Sequence, residues 1–231
     1  MTTTRTETLQ LTDGRSLRLT VAEPDNAVRG GVLVLHEARG VTDTVRGLVS
    51  TLATEGWIAV APHLYPDADV LDEADGDGVR DRLSKLSGES VLADTDATFV
   101  WLGQRGISDD RMGVIGFDAG GTTAFVVAAS RTLGAAVSVG GGGILSPLSE
   151  GLPALVDIAK ELTCPWLGVY GDADEAVPVE EVEVLREATA NAPIATEVVV
   201  YPDTNHRFDF SPKAAEDALQ RTLAWLDSHM R

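Results

Sequence analysis

A mostly parallel β-sheet covered by helices on both faces is the fold class that this sequence predicts, and three observations predict it. Short runs such as "GGVLVL" at 30–35 and "WIAVAP" at 57–62 are apolar at nearly every position, as strands buried on both faces are. Amphipathic stretches separate these runs along most of the chain, which gives the strand and helix alternation of an α/β fold. The length of 231 residues suits one such domain, expected to span 1–231.

Each element has a local justification. "SLRLTVA" (16–22) reads as an edge strand and "GGVLVLHE" (30–37) as a fully buried one. Val45, Leu48, Val49 and Leu52 recur at helical spacing and predict a helix over 43–55, which Gly56 ends before "WIAVAP" resumes a strand. Residues 67–90 are acidic and glycine-rich with weak periodicity, and read as a loop carrying a short helix near 78–87, too short for a separate cap. The alternation then resumes: "ADTDATFVWLGQ" as helix, "RMGVIGF" as strand, "GGTTAFVVAAS" as helix, "GAAVSVG" as strand and "LPALVDIAKEL" as helix. "PWLGVYG" and "ATEVVVYP" are the remaining strands, separated by a helix in "PVEEVEVLREATA" and followed by a last helix in "PKAAEDALQRTLAWLDSHM". "GGGG" at 140–143 reads as a flexible turn, because no Lys-Ser/Thr follows to make a phosphate loop.

Charge and composition narrow the partners. With 36 acidic against 18 basic residues the net charge is −18, which argues against nucleic acid or an anionic membrane surface and leaves a small molecule as the expected partner. No apolar run approaches the roughly twenty residues of a membrane span, and "MTTTRTETLQ" lacks the basic start and apolar core of a secretion signal. A cytoplasmic monomer or homodimer is the expectation. The single cysteine, Cys164, excludes an internal disulfide and reads as a small buried hydrophobe beside Pro165. Histidines 36, 63 and 206 show no metal-ligand spacing, so no metal is expected.

In an open parallel sheet the chemistry gathers beyond the carboxyl ends of the strands. Four such ends carry candidate residues: His36 and Glu37 in "LHEARG", Asp118 in "GFDAGG", Asp172 and Asp174 in "YGDADEAVP", and His206 in "NHRFDF". The order of elbow residue, acid and histidine is that of an α/β-hydrolase, whose nucleophile sits on a tight strand-to-helix turn flanked by glycines. Five ordered segments, "GGVLVLHEARGV", "LATEGWIAVAPHLYP", "RMGVIGFDAGG", "CPWLGVYGDADEAVP" and "NHRFDFSPKAAEDALQRTLAWL", resemble those of the dienelactone hydrolase family over nearly the whole chain. The resemblance implies a single α/β-hydrolase domain without a large cap, no cofactor, and hydrolysis of an ester or lactone. It places the nucleophile position at Asp118, the triad acid at Asp174, the base at His206, and at Glu37 the glutamate that contacts the resting nucleophile. The oxyanion donors it implies are the backbone N–H groups of Ala38 and Ala119.

The family has cysteine at the elbow, and its relatives serine; this chain has aspartate. A carboxylate that attacks an acyl carbon forms an anhydride, whereas a thiolate or alkoxide forms an acyl ester or thioester that water resolves. Three readings of Asp118 follow: a nucleophile at a saturated carbon, as in haloalkane dehalogenases and epoxide hydrolases; a general base or electrostatic element; or a silent elbow in a small-molecule-binding protein. If Glu37 adjoins Asp118, like charge favours a shared proton, unless Arg39 or a charged His206 offsets it. Arg39, Arg80, Arg82 and Arg207 are the candidates for holding an anionic substrate. His36 reads as structural because strand alternation turns it away from Glu37, His63 as a turn residue, and His229 as a cation at a helix C-terminus.

Overall fold

The computed structural model describes residues 3–65, 70–71, 76–208 and 210–230. In chain order the elements are β1 (Arg5–Gln10), β2 (Ser16–Ala22), β3 (Gly30–Leu35), α1 (Asp43–Thr54), β4 (Trp57–Pro62), α2 (Gly76–Ser84), α3 (Gly88–Gly103), β5 (Met112–Phe117) and α4 (Ala119–Ser130). Then come β6 (Ala135–Val139), the single turn α5 (Leu155–Ile158), β7 (Trp166–Gly171), α6 (Val179–Thr189), β8 (Thr196–Tyr201) and α7 (Pro212–His229). The eight strands form one sheet in the order β1-β2-β4-β3-β5-β6-β7-β8, with β3 to β8 parallel and only β1 and β2 antiparallel. No large cap domain stands among the described residues, as expected.

Strand alternation divides the core between two faces. Leu33, Leu35 and Val114 point to the face covered by α3, α4 and the segment from α5 to α6, where Phe125, Trp166 and Tyr170 fill the layer. Val32, Val34, Ile115, Val137 and Val169 point to the opposite face, covered by α1 and α7. Every residue of β3, β4 and β7 is buried, which is why these strands read as unbroken apolar runs.

Four expectations need correction. β2 is second from the edge, because β1 pairs outside it from Arg5↔Val21 to Gln10↔Ser16. β1 alternates exposed and half-buried positions; Leu9 packs against the core, and ion pairs from Arg5 to Glu7 and Glu23 add to it. The helix expected at 78–87 lies at 76–84, and the next helix begins at Gly88, several residues before the expected start, with the Ser87 hydroxyl accepting from Ser90 N–H. The stretch expected as one helix over 152–162 has only the turn α5 and a short 3₁₀ segment. Much of the loop expected after residue 66 falls on 66–69 and 72–75, outside the described residues.

Candidate active site

The chain runs from β3 outward to β4 on one side and returns to β5 on the other, so the strand order switches direction between β3 and β5. A crevice opens at such a switch point beyond the strand ends. The register pairs Leu35 with Gly116, and two residues past each partner stand Glu37 and Asp118, side by side at the crevice. The ends of β7 and β8 deliver Asp174 and His206 to the same place.

Asp118 occupies a turn with φ 52° and ψ −121°, a backbone conformation that non-glycine residues adopt only under constraint. The constraint is visible: its N–H donates to Val139 O at 2.9 Å, and its carbonyl accepts from Thr122 N–H at 3.0 Å as the first link of α4. Close packing of strand against helix does the rest. A Cβ at Gly116 would meet Gly120 O at 1.9 Å, and one at Gly120 would meet Leu35 O at 2.4 Å. The turn therefore admits no side chain at either glycine and presents the side chain of residue 118 above the sheet.

His206 lies between two carboxylates. Its Nδ1–H donates to Asp174 Oδ2 at 2.6 Å, and its Nε2 is 3.6 Å from Asp118 Oδ1, within ion-pair range but longer than a hydrogen bond. Asp118 first, then Asp174, favour the protonated ring and, against the cost of burial, push its pKa up to about 10. Asp174 is fixed in turn, since its Oδ1 accepts from the backbone N–H groups of Ala176 and Val177. Burial opposes its charge, yet the His206 hydrogen bond and these N–H donors outweigh that and hold the carboxyl below its ordinary range. At neutral pH the ring is an imidazolium flanked by two carboxylates.

Glu37 brings its own cation: Arg39 donates to Glu37 Oε1 from Nη2 at 2.5 Å and from Nε at 3.0 Å. Each of the two neighbouring carboxylates is thus matched by a positive group, Glu37 by Arg39 and Asp118 by His206. His36 is buried and neutral, as its structural reading requires: Nδ1–H donates to Glu37 O at 2.7 Å, and Nε2 accepts from Leu64 N–H at 3.2 Å. Burial above all pushes its pKa down to about 4. Arg82 is also buried and donates to Ala38 O at 2.9 Å, with its guanidinium 5.2 Å from the Tyr65 ring. His36 and Arg82 together fix the loop that holds Ala38. Among the described residues, neither Ala38 N–H nor Ala119 N–H donates to a protein acceptor.

A cavity of about 440 Å³ contains Glu37, Arg39, Asp118, His206 and Arg207 in its lining. Arg80 is not brought to it; that side chain is exposed on α2 and pairs with Asp77. Two features of the site went unread in the sequence. The "GGGG" turn is a packing surface, because a Cβ at Gly140 would come 3.0 Å from His206 Cε1. Tyr65 lies near enough for the Asp118 charge, after burial, to help push its hydroxyl up to about 12.

The histidines give the fold a signed pH dependence. His36 and His63 stay neutral where the unfolded chain, with a pKa of about 6.5, already binds protons, so their share of stability is lost as pH falls towards about 4. His206 acts oppositely: its stabilisation is complete below about 6.5 and is lost as pH rises through about 10. Thermal unfolding of wild type and His206→Gln is expected to differ most just below about pH 6.5 and to converge towards pH 10. A difference constant across that range would mean that the folded ring is not an imidazolium.

Three comparisons extend this geometry. The sequence pattern that defines the dienelactone hydrolase family matches residues 17–230. A Yersinia pestis protein named carboxymethylenebutenolidase is 31% identical over 96% of this chain and 88% of its own, and one from Salmonella typhimurium is 37% identical over 84% and 75%. A crystal structure assigned as a dienelactone hydrolase from Klebsiella pneumoniae superposes with a TM-score of 0.85 at 33% identity, covering 97% of this chain and 98% of the other.

Proposed function

The chain belongs to the dienelactone hydrolase family and is a hydrolase, and from that premise we propose that it cleaves small alkyl esters or lactones by attack of Asp118 on the saturated carbon next to the ester oxygen. The observation that carries this reading is a carboxylate on the elbow facing a histidine held by a second carboxylate, with separations of 3.6 and 2.6 Å, an arrangement that favours the protonated ring. A serine or cysteine must lose a proton to the histidine before it attacks; an imidazolium cannot accept one, and a carboxylate has none to give.

In the first step an Asp118 oxygen bonds to the substrate carbon, the carbon–oxygen bond of the ester breaks, and the acid portion leaves as a carboxylate. No proton moves. Arg39 and Arg207 supply positive charge to the cavity into which that carboxylate departs. Esterification removes the charge of Asp118, the first of the two influences that keep His206 protonated. The ring then releases its proton to solvent and takes one from a water attacking the aspartyl ester carbonyl. Asp174 holds the ring during this transfer, and the N–H groups of Ala38 and Ala119 stabilise the oxyanion on Asp118. Collapse expels the alcohol, which takes the proton back from His206, and leaves Asp118 as a carboxylic acid whose remaining proton passes to the neutral ring, restoring the carboxylate and the imidazolium. The net reaction is ester plus water to carboxylate, proton and alcohol.

A single turnover in H₂¹⁸O tests this. With enzyme in excess over an alkyl lactone, the peptide containing Asp118 is expected to gain one ¹⁸O by mass spectrometry while the hydroxy acid product stays unlabelled. An unlabelled peptide with labelled product would overturn the covalent step and leave Asp118 a base or electrostatic group. A panel of alkyl esters and lactones turned over by neither wild type nor Asp118→Ala would instead make the chain a small-molecule-binding protein.

A further inference from the structure

We infer that the cavity holding Asp118 continues into a subsite for an aliphatic arm of the substrate, running between α1 and α7; this deepens the proposed function and rests on it for the word substrate. The cavity does not stop at the polar residues of the strand ends. On α1 its lining runs from Thr42 to Thr51, about 13 Å at the helical rise, and on α7 it reaches Thr222. Between those limits the walls are Val45, Leu48, Ile115, Val139, Phe208 and Leu219.

The placement follows from strand alternation. Ile115 and Phe117 point to the α1 and α7 face, whereas the turn after Phe117 raises Asp118 at the head of the same cavity. Leu48, Val139 and Leu219 are only half-buried, while Val34 and Val137 on the same face are fully covered. The two helices leave a gap there rather than closing on one another. At the far end the Thr222 hydroxyl is satisfied by Ala218 O at 2.8 Å and does not call for a polar ligand. A volume of about 440 Å³ lies within the range of small-molecule sites, which are mostly apolar with a few polar groups at one point. Here that point is Asp118, His206 and the two arginines. The lining selects a molecule with a reactive polar head and an apolar tail, since the charged groups stand at one end and the apolar walls extend away from them along the two helices.

The test separates the subsite from the chemistry. Calorimetric binding of straight-chain alkanols from ethanol to octanol, which carry no ester, is expected to tighten about fourfold per methylene in wild type, the ratio given by about 0.8 kcal/mol per buried CH₂. Leu48→Trp and Leu219→Phe, which fill the slot from opposite helices, are expected to flatten the series; circular dichroism melts show which variants are folded. The kcat/KM for ethyl acetate, butyrate, hexanoate and octanoate should rise with length in wild type and level off in the variants. Alkanols that bind no tighter with length would overturn the subsite, whatever the enzyme hydrolyses. Tightening with length that neither folded variant reduces would place the apolar arm elsewhere and also overturn it. Length-dependent binding without turnover of any ester would leave the subsite standing and remove the proposed reaction.

Discussion

Asp118→Asn is expected to lower turnover of an alkyl ester or lactone by at least about a thousandfold and to lower the pKa of His206 from about 10 in the same molecule. The first effect follows from removing the proposed nucleophile, because an amide oxygen does not form the ester that water later cleaves. The second follows from removing the first of the two charges that keep the ring protonated, while Asp174 remains at 2.6 Å. Assays across pH and NMR titration of the assigned His206 ring measure both. Because the proposed mechanism has Asp118 and His206 act in one sequence of steps, the Asp118→Asn/His206→Gln double variant should be no slower than the worse single variant. A ring that still titrates near 10 in Asp118→Asn would show that Asp174 alone sets its charge, and the proposed release of the base on esterification would then fail.

The second large effect concerns the fold. Gly116→Ala is expected to cost about 3 kcal/mol or more, lowering the melting temperature by on the order of 10 °C for a chain of this size. The reason is geometric: the added methyl would sit 1.9 Å from Gly120 O, a backbone atom at the start of α4 that cannot rotate away. Gly47→Ala is the internal control. Gly47 lies within α1 with nothing within 4 Å of an added Cβ, so alanine there should stabilise by up to about 1 kcal/mol through helix propensity. Equal melting temperatures for Gly116→Ala and wild type in a calorimetric scan would refute the close strand-to-helix packing.

The parallel strands β3 to β7 were legible because burial on both faces writes itself as continuous apolar sequence, and runs such as "VLVL" and "IAVAP" have few other uses. β1 was not, since an edge strand with half its side chains in water carries no such run; "RTETLQ" is tied on by ion pairs and backbone pairing that periodicity does not report. The early start of α3 was encoded by Ser87 at its N-cap, a signal hidden by the surrounding Ser, Gly and Glu. At the site, Glu37, Asp118, Asp174 and His206 could be named because each stands just past the end of a strand, and topology alone brings strand ends together. Arg80 and Arg82 show the limit. They are two residues apart in one helix, yet one is exposed against Asp77 and the other is buried beneath the Ala38 loop, a difference set by how that helix packs and not by local sequence. The role of Gly140 was equally unreadable, since the space it leaves is needed by a ring 66 positions later in the chain, at His206.

The backbone at residue 118 is held by Val139 O, by Thr122 N–H and by the two glycines, and none of these contacts involves the side chain that the turn displays. The elbow is consequently a socket whose shape is maintained without reference to what is plugged into it. A change of one codon, from thiol to carboxylate, can alter the bond that is attacked while the histidine, its partner acid and the surrounding cavity stay where they are. Chemistry in such a scaffold is free to vary separately from architecture, and under the proposed mechanism this chain would cut the same class of molecule as its family at a different bond.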